Sequence, residues 1–156
     1  MMEQKTKVTA VDGQQSVIIT RDFELPVDLV FKAYADADLL EQWMGTKVLK
    51  LESKRHGSYE IETRNPKGEI AFKAGGVIHD FVPGKKIIRT FEMGGTPFGV
   101  QLEVYDFEPL TEETSRLTMH VTYESVAQRD QVLKLPFAQG INMAHNRIEE
   151  IAGKLK

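Results

Sequence analysis

The feature that most constrains the fold is a long series of strand-like segments between Thr46 and Glu124, in which no helical period appears. Turn-forming residues interrupt the series at spacings typical of antiparallel hairpins, as in Asn65-Pro66-Lys67-Gly68 and Val82-Pro83-Gly84-Lys85. These breaks divide the segment into six predicted strands. The chain therefore has to build an antiparallel sheet, and whatever precedes or follows must cover it.

Alternation of apolar and polar residues predicts which side of the sheet is buried. In the last strand the apolar set is Leu117, Met119, Val121 and Tyr123. The strand before it repeats the scheme with Val100, Leu102 and Val104, which we expect to face inward. Gly75-Gly76 lies within another strand and predicts a bulge or a sharp bend.

Helical patterns flank the sheet at both ends. A first strand from Ser16 stops at Pro26, and two short amphipathic helices follow, the second capped by Asp36 and ended by Gly45. Pro136 opens a longer helix, whose apolar stripe is Phe137, Ile141, Ala144, Ile148, Ile151 and Leu155. This stripe predicts that the terminal helix packs on the apolar face of the sheet.

Length and charge restrict the organisation and the function class. A chain of 156 residues supports one core, so we expect a single domain at 16–156 after a polar leader at 1–15, which is either frayed or a weak edge strand. The net charge is -3 with scattered Lys and Arg, which argues against a nucleic-acid partner. With no Cys, no signal peptide pattern and no apolar run of membrane-spanning length, we expect a cytoplasmic protein.

The order of elements resembles the helix-grip fold of the START-like or SRPBCC superfamily, which includes proteins of the birch-pollen-allergen type. The likeness is to the branch named for the activator of the heat-shock-protein-90 ATPase, homologue-like. The segments that carry it run from Arg21 to Pro26 and on to Ala33, from Leu39 to Gly45, from Gly76 to Pro83 and from Asn142 to Leu155. A second Trp often follows Trp43 in this branch, whereas Met44 stands there in this chain.

The resemblance implies an α+β fold with a curved antiparallel sheet of about seven strands around a long C-terminal helix. It also implies a cavity between them that binds a lipid, aromatic or polyketide-like molecule. The interior is rich in aromatic residues, which suits either an apolar ligand site or a filled core. The candidate contact residues are Trp43, Tyr59, Phe72, Ile78, Phe91, Phe98, Met119, Tyr123, Phe137, Ile141 and His145.

Catalytic and metal-binding patterns are weak. No two of the four His residues have a spacing that brings metal ligands together, so we predict neither a metal site nor a cofactor. His145 lies at the margin of the helical stripe, where it is a candidate polar handle or base. Asp80 shares strand parity with Ile78, so we expect it to point inward and to pair with Arg21 or Arg89.

Three functions remain open at this point. The first is sequestration of a small hydrophobic molecule without catalysis. The second is a cyclase or dehydratase in which His145 and Asp80 would act. The third, implied by the branch name, is a domain that stimulates a chaperone ATPase through its surface, with the chaperone as partner. No residue argues for a particular ligand or for an oligomer.

Overall fold

A computed structural model describes residues 5–156. It contains eight strands and four helices. In chain order these are β1 Lys7–Thr9, β2 Ser16–Phe23, α1 Val27–Ala35, α2 Ala37–Met44, β3 Lys47–Leu51, β4 Ser58–Arg64, β5 Ile70–Val82, β6 Lys86–Met93, β7 Val100–Pro109, β8 Ser115–Thr122, α3 Val126–Leu133 and α4 Phe137–Gly153.

The strands form one antiparallel sheet in the order β1-β2-β8-β7-β6-β5-β4-β3. The predicted α+β class with an antiparallel sheet and a C-terminal helix is confirmed. The sheet has eight strands rather than about seven because β1 adds to its border, where Lys7 pairs with Thr20 of β2. Of the two alternatives for the first fifteen residues, the structure has the edge strand, and residues 1–4 lie outside the described part of the chain.

The inner face of the sheet carries the buried side chains, and α1, α2 and α4 cover it. Aromatic rings join these layers: the Tyr34 ring of α1 makes edge-to-face contacts with Trp43 of α2 and with Tyr105 and Phe107 of β7. Such contacts favour a fixed geometry as well as burial. They join the two short helices to each other and hold α1 on β7. Among the helices of residues 5–156, none is both long and apolar enough to cross a membrane.

The buried face of α4 differs from the predicted stripe. Its buried residues are Asn142, His145, Ile148 and Ala152, while Ile141, Ala144 and Ile151 lie partly buried beside them. Leu155 follows the end of the helix and is 49% exposed, so its assignment to the stripe is wrong. The apolar pattern missed the polar residues because Asn142 and His145 are buried with hydrogen-bond partners rather than by hydrophobicity.

The predicted orientation of β7 is also wrong. Val100 and Leu102 are exposed on the outer face, whereas Glu103, Tyr105 and Phe107 point to the inner face and are buried. Both sets contain apolar residues, so alternation alone did not distinguish them. The register decides, because Tyr105 lies opposite Met119 of β8 and Ile87 of β6, which are both buried.

The Gly75-Gly76 pair is a place of close backbone approach rather than the bulge itself. A Cβ atom on Gly76 would collide with the Thr90 carbonyl oxygen, and one on Gly75 would collide with the Tyr59 carbonyl oxygen. The shift in the β5–β6 register lies further along, between Ile78 and Asp80. The strand therefore bends after the glycines, and this displacement decides where Asp80 points.

Candidate functional site

A pocket of about 530 Å³, the central pocket, lies between α4 and the inner face of the sheet. Its sheet side is formed by Arg89, Phe91, Glu103, Tyr105 and Met119. Its helix side is formed by Phe137, Gly140, Ile141, Ala144 and His145. The remaining lining residues are Tyr34, Trp43, Met44, Leu135 and Pro136. Since Leu135 is 50% exposed, the pocket reaches the surface beside it.

Six of the candidate contact residues line the central pocket: Trp43, Phe91, Met119, Phe137, Ile141 and His145. Two others, Phe98 and Tyr123, line a neighbouring side pocket of about 190 Å³ that shares Phe91 and Phe137 with the central one. Phe98 is half-buried against the core. The residues of β6, α4 and the loop before β7 thus form one continuous apolar region.

Three candidates line neither pocket. The Tyr59 hydroxyl donates to the Thr90 carbonyl oxygen at 2.6 Å, and its ring lies 4.6 Å from the Arg89 guanidinium carbon. Tyr59 therefore packs against the Arg89 guanidinium and does not form part of the pocket wall. Ile78 is 3% exposed in the core cluster. Phe72 lies opposite Thr63 on β4 and is half-buried.

A buried polar cluster lies on the sheet side of the pocket, and we call it the Arg89 network. The Arg89 Nε donates to Glu103 Oε1 at 2.7 Å and its Nη2 donates to the Tyr105 hydroxyl at 2.9 Å. The Tyr105 hydroxyl in turn donates to Glu103 Oε1 at 2.9 Å, and Gln101 donates to the other carboxylate oxygen at 2.8 Å. Burial raises the pKa of Tyr105 well above its ordinary value, so the phenol keeps its proton.

Sequence reasoning missed this network because it considered Arg89 only as one of two possible partners of Asp80. Part of the signal lies in the sequence, because Glu103 and Tyr105 share one face of β7. The other part, the position of Arg89 directly opposite Glu103, requires the register of β6 with β7. Cross-strand neighbours of opposite charge on an inner face predict a buried ion pair. The register was the missing information.

A second buried cluster, the Arg21 network, ties β1, β2 and α4 together. Arg21 is fully buried and donates to Thr6 Oγ1 at 3.1 Å, to Asn146 Oδ1 at 2.9 Å and to Glu149 Oε1 at 2.8 Å. The Thr6 hydroxyl also contacts His145 Nδ1 at 2.8 Å. The segment around Thr6, to which the sequence assigned no role, thus supplies a hydrogen-bond partner to two buried residues, Arg21 and His145.

His145 is 1% exposed and belongs both to this network and to the pocket wall. Burial, and secondarily the nearby Arg21 charge, lower the pKa of His145 to about 3, so the ring is neutral at physiological pH. Its Nδ1 faces Thr6, while its Nε2 has no hydrogen-bond partner within residues 5–156. A buried nitrogen without a partner in a pocket wall is an unusual feature.

Asp80 is not at the pocket, and the prediction that it points inward with Ile78 is wrong. The register shift leaves Asp80 opposite Ile88, while the next residue, Phe81, lies opposite the buried Ile87. One extra residue in the strand reverses the side to which every later side chain points. The Asp80 carboxylate accepts a hydrogen bond from the Phe81 N–H at 3.0 Å. The structure therefore does not bring Asp80 and His145 together.

Small residues on α4 leave room for the pocket. Gly140 and Ala144 lie one turn apart and both line it. A Cβ atom added to Gly140 would meet no heavy atom within 4 Å. Trp43 and Met44 line the central pocket with Gly140, so a larger side chain at this position would occupy space at their border of the pocket. Sequence reasoning passed over Gly140 because a glycine in a helix carries no apolar signal.

Comparison with known families gives one match, covering residues 24–153: the family described as "Activator of Hsp90 ATPase homolog 1-like protein". Comparison with curated proteins found no match.

Several solved structures share the fold. Protein Ms6760 from Mycobacterium smegmatis is 23% identical with a TM-score of 0.77, and the alignment covers 92% of this chain and 96% of that one. A protein from Rhodobacter sphaeroides is 17% identical with a TM-score of 0.84, covering 96% and 99%. A protein from Arthrobacter aurescens is 19% identical with a TM-score of 0.83, covering 95% and 91%. At these identities the likeness extends to the fold alone.

Proposed function

Because the chain belongs to the family described as Activator of Hsp90 ATPase homolog 1-like protein, we propose that it binds a small, largely apolar molecule in the central pocket. A family description is not an activity, so the proposal depends on the pocket itself. The observation that carries it is a space of about 530 Å³ between α4 and the sheet with a mainly apolar and aromatic lining. Pockets for small molecules commonly measure about 300–1,000 Å³ and have this kind of wall.

The lining supports binding in two ways. Phe91, Met119, Phe137 and Ile141 would lose contact with water when a guest enters, which contributes about 25 cal/mol for each Å² of apolar surface removed. The polar side chains of the Arg89 network already hydrogen-bond to one another, so an apolar guest would leave no new buried polar group there.

The experiment is a thermal-shift and native mass spectrometry panel of aromatic ketones, fatty acids and sterols. A molecule that binds only the folded protein raises the melting temperature, and it stays attached in the native spectrum. We expect at least one class to do both. Failure of every class to shift the melting temperature would overturn the proposal.

Two variants locate the binding. Gly140→Leu places a branched side chain in the pocket and should reduce the affinity of any bound molecule at least tenfold. Gly140→Ala adds one methyl group in open space and serves as the matched control, since it should keep the affinity within about threefold. Equal affinities of the two variants would show that the ligand binds elsewhere.

The second candidate is stimulation of a chaperone ATPase, which the family description favours. Its test is the ATPase rate of the cognate heat-shock protein 90 with and without the purified chain. A rate increase that survives Gly140→Leu would assign this activity to the surface rather than to the pocket.

A further inference from the structure

One nitrogen of the pocket wall, His145 Nε2, has no hydrogen-bond partner within residues 5–156. The imidazole is 1% exposed and forms part of the central pocket wall. A buried polar atom without a partner costs on the order of the hydrogen bond that it lacks. Arg21 Nε is also buried without a partner among the described residues, but Arg21 does not line the central pocket, whereas His145 does. At His145 a bound molecule can supply the missing partner.

The hydrogen-bond pattern indicates which ring nitrogen carries the proton. The Thr6 hydroxyl oxygen accepts from Arg21 Nη1 at 3.1 Å, and its own single proton remains to be donated. The nearest acceptor described for it is His145 Nδ1 at 2.8 Å. If Nδ1 accepts this proton, the proton of the neutral ring is on Nε2. The pocket wall therefore presents an N–H donor.

The ring is fixed in direction. Thr6 holds Nδ1 on one side, and the Phe23 ring packs edge-to-face against the imidazole with centroids 5.4 Å apart. Neither Thr6 nor Phe23 lines the pocket, whereas His145 does. Because Nε2 lies across the ring from Nδ1, it points away from Thr6. Nε2 itself is out of contact with water, so a guest in the pocket reaches it through a small displacement of the neighbouring pocket wall.

We infer that the molecule bound in the central pocket carries an uncharged oxygen acceptor, such as a ketone or ester carbonyl, that takes a hydrogen bond from His145 Nε2. The inference rests on the proposed function, because it names the chemistry of the guest in that same pocket. It assigns to His145 the role of a specificity-determining contact.

The charges around the pocket favour an uncharged guest over an anion. Arg89 already donates to Glu103, a buried residue in the opposite wall. Arg21, beside His145, already donates to Glu149. An anionic guest would therefore find both cations in use and would bring its charge towards Glu103 in an apolar surrounding, which is unfavourable.

The test uses three probes of similar shape: benzophenone, diphenylmethane and diphenylacetate. Benzophenone has a carbonyl where diphenylmethane has a methylene group, so the pair isolates one acceptor oxygen. Calorimetry should give benzophenone a Kd about three- to tenfold lower than diphenylmethane, the ratio expected for one net hydrogen bond. Diphenylacetate should bind more weakly than benzophenone, and tighter binding of this anion would overturn the choice of an uncharged group.

His145→Leu should abolish the preference for benzophenone while keeping the Kd of diphenylmethane within about threefold. Glu150→Gln, on the exposed side of α4, is the control and should keep the preference. Retention of the preference in His145→Leu would overturn the inference.

Long-range ¹H–¹⁵N spectra of the unaltered protein provide a second readout that does not depend on the folding of a variant. The Nε2 proton should be present without ligand, and its signal should shift with benzophenone but not with diphenylmethane. A proton on Nδ1 would overturn the inference.

The outcomes separate the two proposals. Equal affinity for benzophenone and diphenylmethane would overturn the role of His145 and leave the pocket proposal standing. Absence of binding by all three probes, together with a failed ligand panel, would overturn both.

Discussion

At the scale of single residues, the Arg89–Glu103 pair is the ion pair on the sheet side of the central pocket. The two side chains are 12% and 7% exposed, so both charges have left water and depend on each other. The surface pair Arg116–Asp22 has a similar distance of 2.7 Å but is 40% and 54% exposed. The same chemistry therefore occurs both inside the protein and at its surface.

We predict that Glu103→Leu lowers the free energy of unfolding by about 3–5 kcal/mol, because it leaves Arg89 buried without its partner. The double variant Arg89→Met with Glu103→Leu should recover most of this loss. Urea unfolding measures both values. Arg116→Met is the control and should change the free energy by about 0–1 kcal/mol. A Glu103→Leu variant as stable as Arg116→Met would contradict the assignment of a buried ion pair.

At the scale of elements, β1 and α4 are coupled through one threonine. Thr6 immediately precedes β1 and is 3% exposed, and its backbone N–H donates to Asn142 Oδ1 at 3.0 Å. Its hydroxyl joins Arg21 to His145. The residue before the edge strand thus fixes two buried side chains of α4, Asn142 and His145. Because His145 lines the pocket, the position of the pocket wall depends on this contact.

We expect Thr6→Val to lower the free energy of unfolding by about 1–3 kcal/mol, since it removes the hydroxyl that pairs with one buried donor, Arg21 Nη1, and one buried acceptor, His145 Nδ1. Thr9→Val is the matched control on the exposed part of β1 and should stay within about 0.5 kcal/mol. Chemical denaturation of the two variants gives the comparison. Equal losses would show that β1 matters through strand pairing rather than through the Thr6 hydroxyl.

Element types were predictable from sequence, whereas element faces were predictable only where one parity was clearly apolar. β8 alternates without ambiguity, and its inward set is confirmed. β7 offers Val100 and Leu102 on one side and Tyr105 and Phe107 on the other, so the register with β6 and β8 was needed. The polar contacts of the site were beyond reach for the same reason, because Arg89–Glu103 and Thr6–His145 join residues whose proximity depends on tertiary pairing.

At the scale of the whole molecule, the fold follows from the order of its patterns. Few arrangements are compatible with a strand, two short helices, a run of antiparallel strands and a terminal helix in that order. A sheet with α4 on its inner face is one of them. The size of the space beneath α4 does not follow from such patterns, because it depends on side-chain volumes at Gly140 and Ala144. Six of the eleven candidate contact residues nevertheless line the central pocket.

The stability of the whole molecule should depend on pH through His145. Its pKa falls from an ordinary 6.5 to about 3 on folding. Between these values the unfolded chain binds the proton and the folded one does not, so stability is full above pH 6.5 and is lost as the pH falls towards 3. From pH 7 to pH 5 this group should contribute a loss of about 2 kcal/mol.

The measurement is the free energy of unfolding at pH 7 and pH 5 for the unaltered chain and for His145→Gln. The variant should lose about 2 kcal/mol less than the unaltered chain over this interval, because glutamine does not titrate. Parallel pH profiles would contradict the buried neutral state of His145.

The pairing of β2 with β8 has a consequence for how the protein is made. Residues 16–23 find their neighbours at 115–122, so the ribosome must release most of the chain before β2 can complete its main hydrogen-bonded ladder. Until then Val17, Ile19 and Phe23 stay uncovered in the nascent polypeptide. Strand pairing between residues so far apart in sequence slows folding, and it prolongs the time in which apolar segments can aggregate with other chains.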